Sequence, residues 1–141
     1  MGKLKLYLIT VLLMYTVFSS ASARDQGYKC TIRNVYFLAE SGFLLTDKGE
    51  VASSKIDQEF YLDRGTGRAI GALTNFEDDG ARFQPEIFSK GEDGNSFIVL
   101  TKYGPNPVLT SITVASALRG DRKRFVAQER ITTYSGVCEN I

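Results

Sequence analysis

The sequence predicts an all-β protein, either a small antiparallel barrel or a two-sheet sandwich of seven to eight strands, with its ends tied by one disulfide. Glycines and other turn-forming residues recur at short intervals, and the segments between them are rich in Val, Ile, Thr, Tyr and Phe. Two cysteines stand near the two ends of the region that would fold. Nothing after the first part of the chain has the apolar spacing of a long amphipathic helix.

The start of the chain has the pattern of a cleaved secretory signal peptide. Two lysines precede an apolar run at 6–18, and small residues follow up to Ala23, where an A-x-A site ends. A membrane anchor is the alternative, but an anchor needs about 20 apolar residues to cross a bilayer, and this run is shorter. We therefore predict cleavage of 1–23, a short lead at 24–27 and a single β domain at 28–141.

Cleavage would leave a domain with nearly balanced charge. The chain holds 17 Lys and Arg against 16 Asp and Glu, and Lys3 and Lys5 would leave with the signal peptide, so the basic residues fall to 15. This balance gives no electrostatic reason to expect a nucleic acid or a membrane surface as partner. The export signal places the mature protein in the periplasm or outside the cell.

The first half of the domain contains a strand and a hairpin. The segment "YKCTIRNVYF" (28–37) alternates apolar and polar residues with the period of a half-buried strand. The segment 58–75 reads as a hairpin that turns at Gly65-Thr66-Gly67. Between these two segments, only the region 51–58 has room for a helical turn.

The second half of the domain contains five more predicted strands. Pro85 either interrupts the strand 81–88 or places it at the edge of the sheet, because proline cannot donate a hydrogen bond to a neighbouring strand. The segment 95–103 is apolar on both faces and predicts a central strand, whereas 107–118 alternates and allows a helical turn at its end. The last two strands are "RFVAQ" (124–128) and "ERITTYSGVC" (129–138).

The two cysteines predict a disulfide between the first and the last strand. An exported protein meets an oxidising environment, where an even number of cysteines favours pairing. Catalytic or metal-binding thiols are the alternative, but the chain has no histidine and no C-x-x-C pair. A bond between Cys30 and Cys138 requires their Cα atoms to lie within about 7 Å of each other. The terminal strands should then be neighbours, which favours the barrel over the sandwich.

The sequence predicts no catalytic site, no metal site and no cofactor. Histidine, the usual general base, is absent, and no Ser-Lys pair has the S-x-x-K spacing. The acidic clusters at 77–80 and 91–95 lack the ligand spacing of a calcium loop and are typical of turns. An Arg-Gly-Asp tripeptide at 119–121 begins a basic loop, 119–124; it is typical of a hairpin turn, with an adhesion signal as the alternative. The many aromatic residues should fill the interior, with a ligand cavity as the alternative.

Several motifs resemble a group of uncharacterised small exported proteins of proteobacteria. They are an early "YKC", then "FYLDRGTGRAIG", "GNSFIVLT", "RFVA" and "YSGVC", in this order. The resemblance spans nearly the whole predicted domain. It implies a bacterial β-domain that is periplasmic or secreted, and it implies no activity.

A shorter segment, "DDGARFQPEIFSKGEDG" (78–94), resembles the centre of the periplasmic inhibitors of c-type lysozyme, small barrels whose early and late cysteines are bonded together. The resemblance implies that a loop and a later lysine enter the lysozyme cleft and meet its catalytic carboxylates. Asp79 stands where the family has a serine and would repel those carboxylates, and the two motifs are closer together than in the family. The candidate partner-binding residues are Asp79, Gly80, Arg82, Phe83, Ser89 and Lys90.

These observations together predict a non-enzymatic exported domain that binds a periplasmic or host protein. Inhibition of c-type lysozyme is the alternative. An enzyme that works with carboxylates alone is a third class, and it would require two acidic side chains facing each other in one cleft.

Overall fold

The computed structural model describes residues 26–75, 83–92, 94–103 and 108–141. The predicted signal peptide lies outside these ranges and stays a prediction. Within them the chain forms nine strands and one short helix. In chain order these are β1 (Gly27–Leu38), β2 (Leu44–Thr46), α1 (Glu50–Lys55), β3 (Glu59–Asp63), β4 (Ala69–Gly71), β5 (Phe83–Lys90), β6 (Phe97–Tyr103), β7 (Val108–Val114), β8 (Arg122–Glu129) and β9 (Thr132–Asn140).

All of these strands belong to one antiparallel sheet that curls into a half-barrel. Eight strands follow the order β4-β3-β1-β9-β8-β7-β6-β5, and β2 pairs with the far end of β1. The prediction of an all-β fold is confirmed. Of its two alternatives the barrel is the closer one, since the described strands form one curled sheet rather than two.

The eight predicted strands are all present, with ends that differ by a few residues. The predicted helical turn at 51–58 is α1. Pro85 lies within β5, which is an edge strand, so of its two predicted alternatives the edge position is the observed one. The sequence analysis missed one strand, the three-residue β2.

The predicted disulfide joins Cys30 of β1 to Cys138 of β9. The two residues stand directly opposite each other in the β1–β9 pairing, with Cα atoms 3.9 Å apart, although 108 positions separate them in sequence. Both side chains are completely buried. A buried bond of this kind is typical of proteins that fold in an oxidising compartment.

The first and last strands pair in the middle of the sheet. In a simple closed meander their pairing would be the seam of the barrel, but here the two sheet edges are β4 and β5. The chain between these two strands includes 76–82, which lies outside the described residues. The half-barrel therefore opens between β4 and β5.

The core fills the concave side of the sheet. Two aromatic pairs cross it: Phe60 meets Phe125 edge-on with ring centroids 5.1 Å apart, and Tyr28 meets Phe97 at 5.7 Å. These pairs join β3 to β8 and β1 to β6, which are not neighbours in the sheet, so the contacts require the sheet to curl. The other large side chains that are fully buried are Ile32, Val35, Leu62, Val99, Thr101 and Val114.

Candidate functional site

The curled sheet has two ends at which its connections gather. One end carries the β1–β2 connection and the β8–β9 turn, and we call it the hairpin end. The other carries both termini of the described chain, where the amide of Gln26 donates to the carbonyl of Ile141 at 2.8 Å, together with the β3–β4, β5–β6 and β7–β8 connections. We call this the terminal end.

The structure divides the predicted lysozyme-binding segment between the two ends. Asp79, Gly80 and Arg82 lie outside the described residues. Phe83 begins β5 at the hairpin end and Lys90 finishes it at the terminal end. At about 3.3 Å per residue, roughly 23 Å separates them. These two predicted residues are therefore not brought together.

Ser89 and Lys90 stand beside a bulge near the end of β5. The Ser89 hydroxyl donates to the carbonyl of Ser96 at 2.6 Å, so it closes the β5–β6 turn. The pairing register shifts between Ile87 and Ser89, and Phe88, at the bulge, is 71% exposed. Lys90 is exposed too, and among the described residues no carboxylate forms an ion pair with it. Phe88 and Lys90 thus place an aromatic ring and a cation on an edge strand.

The basic loop 119–124 begins as an exposed turn and continues into β8. Arg119, Gly120 and Asp121 are exposed, and Gly120 has a φ of +97°, as the predicted turn requires. Beyond the tripeptide, Arg122 pairs with Glu139 at 3.5 Å, and the Lys123 ammonium donates to the carbonyl of Leu118. Two of the four basic side chains are therefore engaged within the protein.

The convex face of the sheet beside this loop carries two further ion pairs. Lys29 and Glu59 lie 3.0 Å apart, and Arg33 pairs with Asp57. The hydrogen bond and the charge of Glu59 raise the pKa of Lys29. This face therefore offers alternating charges rather than a patch of one sign.

The hairpin end carries a cluster of exposed apolar side chains, which we call the apolar hairpin. Phe43 is 69% exposed and Ile131 is 61% exposed, and the other three members are about half exposed. The register pairs Leu38 with Leu44, and the amide of Leu38 donates to the carbonyl of Ile131 at 2.9 Å, so the backbones of these three residues are adjacent. The apolar hairpin consists of Leu38, Phe43, Leu44, Leu45 and Ile131.

Next to the apolar hairpin, the concave side of the sheet contains a cavity of about 290 Å³, which we call the end pocket. Its floor is built from residues of β7, β8 and β9, and its wall is built from α1, Gly71 and the segment after β4. The lining residues are Lys55, Gly71, Ala72, Leu73, Thr74, Asn75, Thr110, Ile112, Ala127, Gln128, Glu129 and Tyr134.

Two polar side chains fix the wall of the end pocket. The Lys55 ammonium donates to the carbonyl of Ala72 at 2.6 Å. The buried Asn75 amide accepts from the amide of Ala69 at 2.7 Å and donates to the carbonyl of Gly67 at 2.9 Å. Because these bonds tie the wall to α1 and to the β3–β4 turn, the cavity is held open by fixed backbone.

Two side chains on the floor of the end pocket, Thr110 and Tyr134, carry hydroxyl groups. Thr110 is only 7% exposed, and its hydroxyl has no hydrogen-bond partner among the described residues. The half-buried Tyr134 has its pKa raised by burial, with smaller contributions from the charges of Glu129 and Asp47. Its phenol therefore keeps its proton at neutral pH and can donate a hydrogen bond.

The described residues contain no group of three or more His, Cys, Asp or Glu side chains that could hold a metal ion. In the same ranges no helix is long and apolar enough to cross a membrane. Comparison of the chain with protein-family models, with curated proteins and with solved structures found no match.

Sequence analysis missed both the apolar hairpin and the end pocket. The hairpin had a readable signal, since "FLAESGFLL" (37–45) places two apolar runs around a turn that ends in Gly42. The end pocket had none, because its lining comes from five separate segments that only the curl of the sheet brings together.

Proposed function

We propose that this protein is an exported, non-enzymatic domain that binds another protein, and that the apolar hairpin is its contact surface. The observation that carries the proposal is the exposure of five large apolar side chains on one end of the molecule. Contiguous apolar patches are uncommon on monomeric proteins and mark interaction sites when they occur.

The hairpin offers a partner two kinds of contact. Burying one large apolar side chain contributes about 1.5 to 3 kcal/mol, so several together would supply a binding core. Strand β2 has β1 on one side and no other described strand on the opposite side. Its free backbone groups can accept a strand from the partner, which adds main-chain hydrogen bonds to the apolar contacts.

The periplasmic or secreted location is part of the same proposal. It is supported by the signal-peptide pattern of 1–23 and by the buried Cys30–Cys138 bond, which needs an oxidising environment to form. The partner we propose is accordingly a periplasmic or host protein.

A capture experiment with matched variants tests the contact surface. The full chain is exported, purified without reductant, coupled to beads and incubated with periplasmic extract. We expect a specific protein to be retained by the wild type and lost with the double variant F43S/L44S. The control Ile70→Ser removes an equally exposed apolar side chain from the other side of the sheet and should retain the partner. Equal retention by F43S/L44S would refute the assignment of the apolar hairpin.

Inhibition of c-type lysozyme is a second proposal, and the exposed Lys90 favours it. This lysine stands at the end of an edge strand, beside the exposed Phe88, and can reach a carboxylate of another protein. Purified protein should then slow the lysis of bacterial cell walls by c-type lysozyme, and Lys90→Ala should abolish the effect. Unchanged lysis at micromolar protein would remove this proposal and leave the first one standing.

A further inference from the structure

We propose that the end pocket is a binding site for a small, uncharged, hydroxyl-rich ligand of the size of one sugar ring, with the Thr110 hydroxyl as its anchor. This site is separate from the protein contact proposed for the apolar hairpin. It does not depend on that proposal.

The Thr110 hydroxyl lacks a hydrogen-bond partner among the described residues. The side chain faces the concave side from β7, where Thr101 and Glu129 are its paired residues on the two adjacent strands. Neither they nor any other described residue gives its hydroxyl a hydrogen bond. A buried polar group without a partner is costly, and native proteins keep few of them. The oxygen itself has no solvent contact, but Thr110 lines the end pocket, so rotation about its χ1 bond, which exchanges the hydroxyl and the methyl group, would bring the hydroxyl to a ligand there.

The polar groups around the end pocket include both hydrogen-bond donors and acceptors. Thr110 and Tyr134 offer hydroxyl groups, and Thr74 offers a third at the wall, where it is bonded to the carbonyl of Gly71 at 3.2 Å. The Lys55 ammonium has three donors and uses one on Ala72, which leaves two. Glu129 supplies acceptors. A ligand whose own groups both donate and accept, as hydroxyls do, matches this mixture.

The charges and the shape of the end pocket also suit such a ligand. One ammonium, of Lys55, and one carboxylate, of Glu129, line the pocket, so their charges cancel and favour an uncharged ligand. Leu73, Ile112 and Ala127 add aliphatic surface that suits the C–H face of a ring. A volume of about 290 Å³ is enough for one substituted ring.

Nuclear magnetic resonance of the oxidised, isotope-labelled protein tests the proposal. D-glucose, D-galactose and N-acetyl-D-glucosamine are titrated separately to millimolar concentration. We expect at least one of them to give saturable shifts of the amide signals of Thr110, Ala127 and Tyr134. Binding should weaken about tenfold in Thr110→Val, because the anchoring hydrogen bond is lost while the side-chain shape is kept. The same substitution should raise the melting temperature, because it removes an unpaired buried hydroxyl.

Thr113→Val is the matched control, since it makes the same change on the same strand at a position that faces outward, and it should bind like the wild type. If Thr110→Val does not fold, Thr110→Ser keeps the hydroxyl and should retain binding, whereas Thr110→Ala should lose it. The proposal is overturned if none of the three sugars gives saturable shifts. It is also overturned if L-leucine shifts these amides and the sugars do not, or if Thr110→Val binds as tightly as the wild type.

Discussion

Among the glycines that the structure describes, Gly136 of β9 has the least space for a Cβ atom. It stands opposite the bulge at which the register of β1 shifts between Ile32 and Asn34. A Cβ atom there would overlap the carbonyl oxygen of Thr31 and lie 2.8 Å from Cε1 of Phe125. Only a residue without a side chain lets β1 and the Phe125 ring approach this closely.

Gly136→Ala should therefore lower the free energy of unfolding by about 2 to 3 kcal/mol, since the backbone of β1 and a buried ring would both have to move. Urea unfolding followed by far-ultraviolet circular dichroism measures the change. Gly65→Ala is the control, because its Cβ would meet only Asp63 Oδ1 at 3.4 Å, an ordinary contact. Equal stability of the two variants would contradict the close packing at Gly136.

The sequence could identify some of these residues and not others. The Cys30–Cys138 bond was predictable because the pattern of 1–23 predicts export and two cysteines allow only one pairing. The constraint on Gly136 was not, because a glycine in a strand is compatible with a bulge, a bend or a close approach, and the choice depends on the strand beside it. Thr110 likewise reads as an ordinary inward residue of an alternating strand.

At the scale of elements, the β3–β4 turn depends on an ionised side chain. Asp63 Oδ1 accepts from the amide of Thr66 at 2.6 Å and from its hydroxyl at 2.7 Å. The hydrogen bond from the Thr66 hydroxyl is the main cause of the lowered pKa of Asp63. Since the folded state favours the carboxylate, this turn adds stability at neutral pH. The added stability is lost as the pH falls through the ordinary value of 3.8 towards the lower folded value.

Asp63→Asn should flatten this acid dependence, because the amide cannot ionise. We expect the melting temperature of the wild type to fall more than that of Asp63→Asn between about pH 5 and pH 2. The control Glu86→Gln removes an exposed carboxylate from β5 and should follow the wild-type curve. Parallel curves for the wild type and Asp63→Asn would mean that the turn does not depend on the charge of Asp63.

Elements were predictable where composition and turn chemistry agreed. The Gly65-Thr66-Gly67 turn and the edge position of β5 follow from glycine and proline, whose backbone limits are local. Strand β2 was missed because three residues are too few to show a period. The spread of the residues 83–90 along one extended strand depends on where β5 begins and ends, and element boundaries are the least certain part of a sequence reading.

At the scale of the whole molecule, the sequence predicted which two strands lie side by side, but not where the sheet opens. A disulfide between the terminal strands requires β1 and β9 to lie side by side, and they do. Where the sheet opens depends on how the chain passes from β4 to β5, and no residue pattern determines that connection. The end pocket follows from this topology, because the curl brings β7, β8 and β9 opposite α1 and the segment after β4.

The disulfide between Cys30 and Cys138 joins two strands in the middle of the sheet. In the chain-entropy model, closing a loop of 108 residues restricts the unfolded chain by about 4 to 5 kcal/mol, and engineered bonds often deliver less. The double variant C30A/C138A should lose about 3 kcal/mol of unfolding free energy in urea and still fold, because the paired backbones of β1 and β9 remain. The unfolding curve of the wild type in reductant should move towards that of the variant.

Because constraint of the unfolded chain is the expected cause, the free energy of unfolding of the variant should also depend more steeply on the urea concentration. If reduction leaves the midpoint unchanged, or if the unreduced protein carries two free thiols by mass spectrometry, the bond does not hold the sheet together.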